Sequence, residues 1–311
     1  MVLPIGNAFA SCCDRKNHCL AFSWSSICTP FDRVRDRGGV ITPSRLKNPT
    51  HEGMIMDKPR YLLATILFVI CLNESVLALA QIERPNIIFL LADDLGYTDI
   101  EPYGSEVNTP SLSMLAEQGI IFTNYHTAAN CAPSRAMLLT GVNNHLAGVP
   151  NIPETFAPEQ RLSKNYQGVL GDNVVTIATL LEDSGYHTYM AGKWHLGSEP
   201  NKLPSARGFE RTVALMDSGA DNWEQRPYLP IYDQANWFSD GERYSLPDDF
   251  YSSRFLIDKT IEFIDENLDD GKPFFAYVPF QAVHIPVQAP RRFIENYNGR
   301  FDEGWHALRL E

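Results

Sequence analysis

After position 84 the apolar residues fall into short runs separated by helical spacings, and this alternation predicts the architecture. Residues 86–92 (Asn-Ile-Ile-Phe-Leu-Leu-Ala) form a continuous apolar run of strand length, as in a parallel strand covered on both faces. Thr109 and Pro110 supply a helix N-cap and first helical residue, and Gly119 a stop. Residues 120–124 read as a second short strand. Residues 174–181 read as a helix ending at Gly185, and 187–191 as the next strand. Across 251–270, Ile257, Ile261, Ile264 and Leu268 recur at helical spacing, and Gly271-Lys-Pro then leads into an apolar strand at 274–280. Strands alternating with helices predict an α/β fold with a mostly parallel sheet. Residues 198–250, rich in Pro, Asp, Asn, Trp and Tyr, read as a long insertion or rim.

The first eighty residues break this pattern. In 56–80, Lys58 and Arg60 precede an uncharged, mostly apolar run, and Ala78-Leu79-Ala80 forms an A-x-A site, so the segment reads as a secretory signal peptide. Its apolar run of about twelve residues is too short to span a bilayer, which takes roughly twenty; no stable membrane insertion is expected after cleavage. Residues 1–55 carry no sustained periodicity and read as an over-extended, disordered N-terminus, with the true start at Met54 or Met56. The chain as a whole has a formal net charge of −12; from Gln81 onward it holds 32 acidic and 17 basic residues, a net charge near −15. So acidic a surface argues against nucleic acid or an anionic membrane as partner, and an anionic substrate would need a local positive site.

Cysteine usage sharpens this picture. Cys12, Cys13, Cys19, Cys28 and Cys71 precede residue 81, which leaves Cys131 alone in the remainder of the chain. In the oxidising compartment that a signal peptide implies, Cys131 has no internal disulfide partner. It opens the run CAPSRAMLLTG, whose Pro133 suits a first helical turn and whose Arg135 lies one turn on, on the same face. A helix N-terminus activates a nucleophile and holds an anion, while a buried structural cysteine is the plainer alternative.

Other polar residues fall at predicted strand ends, where open α/β sheets bind ligands. Asp93 and Asp94 end the first strand and could offer oxygens to a hard cation such as calcium; a solvated turn is the alternative. Lys193 and His195, two apart in Gly-Lys-Trp-His-Leu-Gly, point to one face if the segment is extended, and suit anion binding and proton transfer. His284 follows the last strand. His145 is a weaker candidate of the same kind.

The order of these blocks carries a resemblance. RPNIIFLLADDLG (84–96), CAPSRAMLLTG, GKWHLG, Gly208-Phe209, Val283-His-Ile-Pro286 and Gly304-Trp305 resemble successive motifs of the type I, formylglycine-dependent sulfatases, with the Asn-Asn-His-Leu-Ala-Gly segment closest to bacterial arylsulfatases. The resemblance implies an alkaline-phosphatase-like α/β sandwich over 81–311 that hydrolyses aryl sulfates or sulfated carbohydrates. It implies that a separate maturation enzyme oxidises Cys131 to formylglycine, whose hydrate attacks sulfur and later expels sulfate. By matching motif, Asp93, Asp94 and the modified residue 131 would bind calcium, and Arg135 would hold that geometry. His195 would position the diol or accept a proton. Lys193 and His284 would bind sulfate, with His284 protonating the leaving oxygen; Ser218 or Asn222 would add a sulfate contact.

The resembled family continues past the Gly-Trp block into a part that carries an Asp-Asn pair, a second lysine and further strands. The expectation is therefore a catalytic domain lacking its C-terminal part, with an open sheet edge, that is poorly folded or has little activity as this polypeptide alone. Two other readings are a phosphatase or phosphodiesterase of the same superfamily, against which Cys131 with Pro133 and Arg135 discriminates, and a non-catalytic remnant that binds sulfated glycans.

Overall fold

The structure is a computed structural model, and it describes residues 2–5 and 84–304. The signal peptide at 56–80, Trp305 and all cysteines other than Cys131 lie outside the described residues, as does the 1–55 segment apart from four residues. Those four form strand β1 (Val2–Ile5), which pairs antiparallel with β2 (Asn86–Leu91). No helix among the described residues is long and apolar enough to cross a membrane.

Four parallel strands make the centre of the sheet. They are β2, β3 (His187–Lys193), β4 (Arg211–Leu215) and β7 (Phe274–Pro279), in the spatial order β2-β7-β3-β4. β5 (Trp237–Ser239) and β6 (Glu242–Arg243) form an antiparallel hairpin that continues the sheet from β4. The sheet is thus α/β and mostly parallel, as expected. The 198–250 stretch is more than a rim, because it supplies β4, β5 and β6. Its strands are too short and too mixed in polarity to stand out by period, yet Trp237 and Phe250 are buried.

Alternation along the central strands explains why both faces need covering. On β7, Phe275 and Tyr277 join one apolar cluster with Ala132, Ala136 and Leu139 of helix α2 (Cys131–Thr140) and Ala178 of α3 (Ile177–Asp183). Ala276 and Val278 face the other side and join Leu256 and Phe263 of α4 (Ser252–Glu266). Burying a side chain such as Leu256 or Phe263 contributes roughly 1.5–3 kcal/mol. The core stripe of α4 is rotated from the expected one. Leu256, Thr260 and Phe263 are buried, Ile257 and Ile264 pack at the margin, and Ile261 and Leu268 are exposed.

Helix α1 (Pro110–Gln118) starts and stops where Pro110 and Gly119 dictate, though the Thr109 hydroxyl accepts from the Glu101 amide rather than capping the helix. α3 begins later than expected, at Ile177, because the Thr176 hydroxyl accepts from the Thr179 amide and fixes the first turn there. Residues 120–124 are not a strand. Among the described residues no strand pairs with them, and Ile120 and Phe122 are exposed. A short helix α5 (Arg291–Glu295) follows β7.

Candidate active site

The carboxyl ends of the parallel strands converge on one cluster. The chain leaves β2 through Asp93, whose amide donates to the Ala282 carbonyl at 2.9 Å and whose carbonyl accepts from Val283 at 2.9 Å. These two bonds tie the acidic turn to the loop after β7. β3 ends on Lys193, and its neighbour Gly192 has φ 142, with Pro279 of β7 so close that a Cβ would lie 2.0 Å from its carbonyl oxygen. Only glycine fits there, so the β3–β7 contact is locked directly beside Lys193.

Asp93 anchors the charges. One carboxylate oxygen accepts from Arg135 Nη2 at 3.0 Å and the other from Lys193 Nζ at 2.5 Å, while Arg135 Nη1 donates to the Lys193 carbonyl at 2.8 Å. All three side chains are essentially fully buried. Burial alone would raise the Asp93 pKa, but the Arg135 and Lys193 charges outweigh it and hold the carboxyl below its ordinary value. Burial likewise disfavours charged Arg135, and the surrounding negative charge reverses that, so it stays protonated. Tyr277, fully buried beneath this group, is pushed up to about 12, mainly by burial.

Cys131 is the first residue of α2, partly exposed, with Asn130 as an extended N-cap. Its Sγ lies 3.3 Å from His195 Nδ1. Burial would raise the thiol pKa, yet the His195 hydrogen bond and the Lys193 charge pull it below the ordinary value. His195 is raised for the complementary reason: burial would lower it, and its bonds to Cys131 and Glu154 outweigh that.

The backbone at His195 is left-handed, with φ 57, so Lys193 and His195 do not share one face of an extended segment as the sequence suggested. That departure sends Lys193 to Asp93 and His195 to Cys131. Trp194 between them is fully buried, its indole N–H donating to the Lys202 carbonyl at 2.9 Å.

His284 sits beside this cluster, its Nδ1–H donating to the Ile285 carbonyl at 2.5 Å and its Nε2 lying 3.6 Å from Asp94. Asp94 itself is 60% exposed, with φ 59. Ser218, just beyond β4, is buried and bonds the Tyr228 hydroxyl at 3.3 Å; the Tyr228 ring meets His284 edge-on at 5.4 Å. Ser218 therefore belongs to the His284 wall. Asn222 is used structurally, pairing with Gln288 and with Ser252 at the start of α4. His145 is outside the cluster, packed edge-on against Tyr166.

Asp93, Asp94 and residue 131 are the positions that the resemblance assigns to calcium. Among the described residues no three His, Cys, Asp or Glu side chains are grouped to hold a metal. Asp93 is engaged by Arg135 and Lys193, Asp94 turns toward His284, and Cys131 pairs with His195. Calcium takes about six to eight oxygens. The two adjacent carboxylates fit as part of such a shell, one fixed and one exposed, with the other oxygens coming from elsewhere.

Sequence reasoning missed Glu154 and Tyr232. Both Glu154 carboxylate oxygens lie 3.3 Å from His195 Nε2, and the Tyr232 hydroxyl donates to one of them at 3.0 Å. Neither residue stands in a recognisable block.

A cysteine at a helix N-terminus, beside a buried Asp-Arg-Lys group and two histidines that follow parallel strands, makes up the site of this α/β protein. The Sulfatase family model matches residues 85–309, and the chain belongs to that family. It is 40% identical over 231 residues to an arylsulfatase of Klebsiella aerogenes, covering 73% of this chain and 48% of the relative. An uncharacterised sulfatase of Schizosaccharomyces pombe is 39% identical over 245 residues, covering 74% and 43%. The chain thus spans somewhat under half the length of these relatives. Among solved structures, a sulfatase from Pseudoalteromonas sp. superimposes with a TM-score of 0.54 at 25% identity, over 70% of this chain and 48% of that one. A protein solved with its substrate D-glucosamine-2-N,6-O-disulfate superimposes with a TM-score of 0.55 at 28% identity, over 70% and 38%.

Proposed function

We propose that this chain carries the nucleophile-bearing part of a secreted or periplasmic sulfatase that hydrolyses sulfate esters of aryl alcohols or carbohydrates. The observation that supports this most is Cys131 at the first residue of α2, within 3.3 Å of His195 and backed by the buried Asp93–Arg135–Lys193 group, inside a specific family block. A separate maturation enzyme would convert the Cys131 side chain to formylglycine, a two-electron oxidation by an oxidant that this enzyme supplies, in which oxygen replaces sulfur and the sulfur leaves as sulfide. Formylglycine, once hydrated, supplies a nucleophilic oxygen where a thiol stands before maturation.

The chain's own residues supply the remainder. Arg135 and Lys193 hold Asp93 and place positive charge beneath residue 131. His195 Nδ1 faces residue 131 at the distance needed to take its proton. His284, walled by Tyr228 and Ser218, is the group to orient the sulfate and protonate the leaving oxygen. Asp93 and Asp94 would hold calcium, which supplies a fixed double charge toward sulfate oxygens. Preorganised positive groups of this kind contribute on the order of a hundredfold or more each to rate.

The test is mass spectrometry of the peptide containing Cys131 after co-expression with a formylglycine-generating enzyme, followed by assay on an aryl sulfate. Conversion lowers the peptide mass by about 18 Da from the thiol-to-aldehyde composition change. An unmodified thiol in a competent host would overturn the reading. Phosphate-ester turnover by Cys131→Ser with none on sulfate esters would favour the phosphatase alternative.

A further inference from the structure

The buried carboxylate behind His195 has no part in the family blocks quoted above. Glu154 lies in a single 3-10 turn (Pro153–Thr155) between α2 and α3, 41 residues from His195 in sequence. Its carboxylate straddles His195 Nε2, with both oxygens at 3.3 Å, and the two side chains are 8% and 3% exposed. The Tyr232 hydroxyl, from the loop between β4 and β5, donates to Oε1 at 3.0 Å and so fixes the carboxylate in turn. His195 has little freedom of its own, because its left-handed backbone lies between fully buried Trp194 and Leu196. Three segments distant in sequence therefore meet in one chain of contacts, Tyr232 to Glu154 to His195 to Cys131.

An imidazole nitrogen facing a carboxylate carries the proton, and the tautomer of the ring is set by that bond. We propose that Glu154 is a positioning residue of the site: it holds the proton of His195 on Nε2, leaving Nδ1 as an unprotonated acceptor aimed at residue 131, with Tyr232 locking the carboxylate. Without Glu154, the proton is free to sit on Nδ1, and the nitrogen that faces residue 131 becomes a donor. A surface ion pair would not impose this choice, since water would serve either nitrogen equally. Glu154 does not touch residue 131 and acts only through the histidine. Burial alone would raise the Glu154 pKa, and its bond to His195 outweighs this and keeps it ionised, the state this role requires.

The tautomer claim is independent of the sulfatase reading, and only its catalytic consequence rests on that reading. Long-range proton–nitrogen correlation spectra of the full chain, 15N-labelled at histidine and carrying Cys131→Ser throughout so that residue 131 stays un-ionised, report the tautomer directly at a pH where the ring holds one proton. The expected result is Nε2–H for His195 with Glu154 in place, a mixed population in Glu154→Leu, and recovery of Nε2–H in Glu154→Gln, whose amide oxygen still accepts. Tyr232→Phe should give a smaller shift in the same direction. A His195 proton found on Nδ1 with Glu154 in place would overturn the proposal, whatever the fate of the variants. So would identical spectra with and without Glu154.

In matured protein assayed on an aryl sulfate, Glu154→Leu should lower kcat about 10- to 100-fold, the range for losing a partner that orients a functional histidine, with KM within about twofold. Glu154→Gln should recover part of it. Unchanged kcat in Glu154→Leu would refute the catalytic consequence. Absence of turnover by every form is the outcome expected if this polypeptide alone has little activity, and the tautomer result then decides the role of Glu154.

Discussion

The Asp93–Arg135 bond is the strongest single prediction the structure makes about stability. Both groups are about 1–2% exposed, and Arg135 spends one amine on Asp93 and another on the Lys193 carbonyl. Arg135→Met removes both bonds, leaving Asp93 with Lys193 alone and the Lys193 carbonyl without its donor. Breaking a buried ion pair by removing one partner costs about 3–5 kcal/mol. Asp93→Asn leaves two buried cations short of their counter-charge and should cost a similar amount, against a total stability on the order of 5–15 kcal/mol for a folded domain. Because the two residues share one charge-assisted bond, worth roughly 1.5–3 kcal/mol, the double variant should lose less than the sum of the single losses. The expected coupling is about 2 kcal/mol. Urea unfolding followed by tryptophan fluorescence reads this well, since Trp194 and Trp237 are buried. The acid limb gives a second reading. Asp93 is held below its ordinary value of 3.8, so the unfolded chain binds its proton first as pH falls. Its contribution is complete above the unfolded value and is lost as pH falls through the folded one, a loss that Asp93→Asn should lack. Additivity of the two single variants within about 0.5 kcal/mol, or acid limbs of equal slope, would refute the reasoning.

Other parts of the molecule make separate demands. At the opposite end of β3, His187 pairs with Glu210 and Asp270, each at 2.6 Å; burial would lower its pKa, and the two carboxylates raise it instead. That stabilisation is full below the unfolded value of 6.5 and is lost as pH rises through the folded one, so the Tm gap between the unsubstituted chain and His187→Gln should narrow from about pH 5 to about pH 9; a constant gap would count against it. Gly192→Ala forces a Cβ to 2.0 Å from the Pro279 carbonyl at φ 142, and strain plus overpacking should cost about 2–5 kcal/mol in urea unfolding. A loss below about 1 kcal/mol would mean that β3 and β7 can part freely. Before maturation, Cys131 should be alkylated by iodoacetamide with a midpoint below the value of about 8.5 for free cysteine, and His195→Asn should move that midpoint up; an unshifted midpoint would separate the two groups.

What could be read from the sequence follows from what is local. The β7 run is continuous and apolar because both of its faces are buried, so period and burial agree; β2 has the same composition but lies half-buried, with Leu90 exposed. Cys131, Arg135, Lys193 and His195 stand out because each lies at a strand end or helix start, where fixed spacing to a turn marks it. Residues 120–124 have the composition of a strand but no partner, and pairing is not a property of one segment. β4 and the β5–β6 hairpin were hidden for the converse reason: their pairing with β3 and with each other organises a stretch whose composition is that of a loop. The left-handed turn at His195 was hidden too, since a histidine seldom adopts it and no glycine or asparagine announces it. Glu154 carries no local signal, because only the fold brings its 3-10 turn to His195.

The same distinction bears on how an acidic protein handles an anion. A net charge near −15 over residues 81–311 repels any anion at long range, so a site that is to attract one needs charge that water cannot screen. The buried group supplies it by imbalance. Asp93 is one carboxylate against two fixed cations, Arg135 and Lys193, and the unpaired N–H groups of the α2 start add to the same sign. The surplus lies directly under residue 131, and Gly192 and the Asp93–Ala282 bond prevent it from relaxing away. A carboxylate is needed there because two bare buried cations would repel each other, and a second one in the same place would cancel the field. One acid between two cations pairs with both and still leaves a net positive charge beside residue 131.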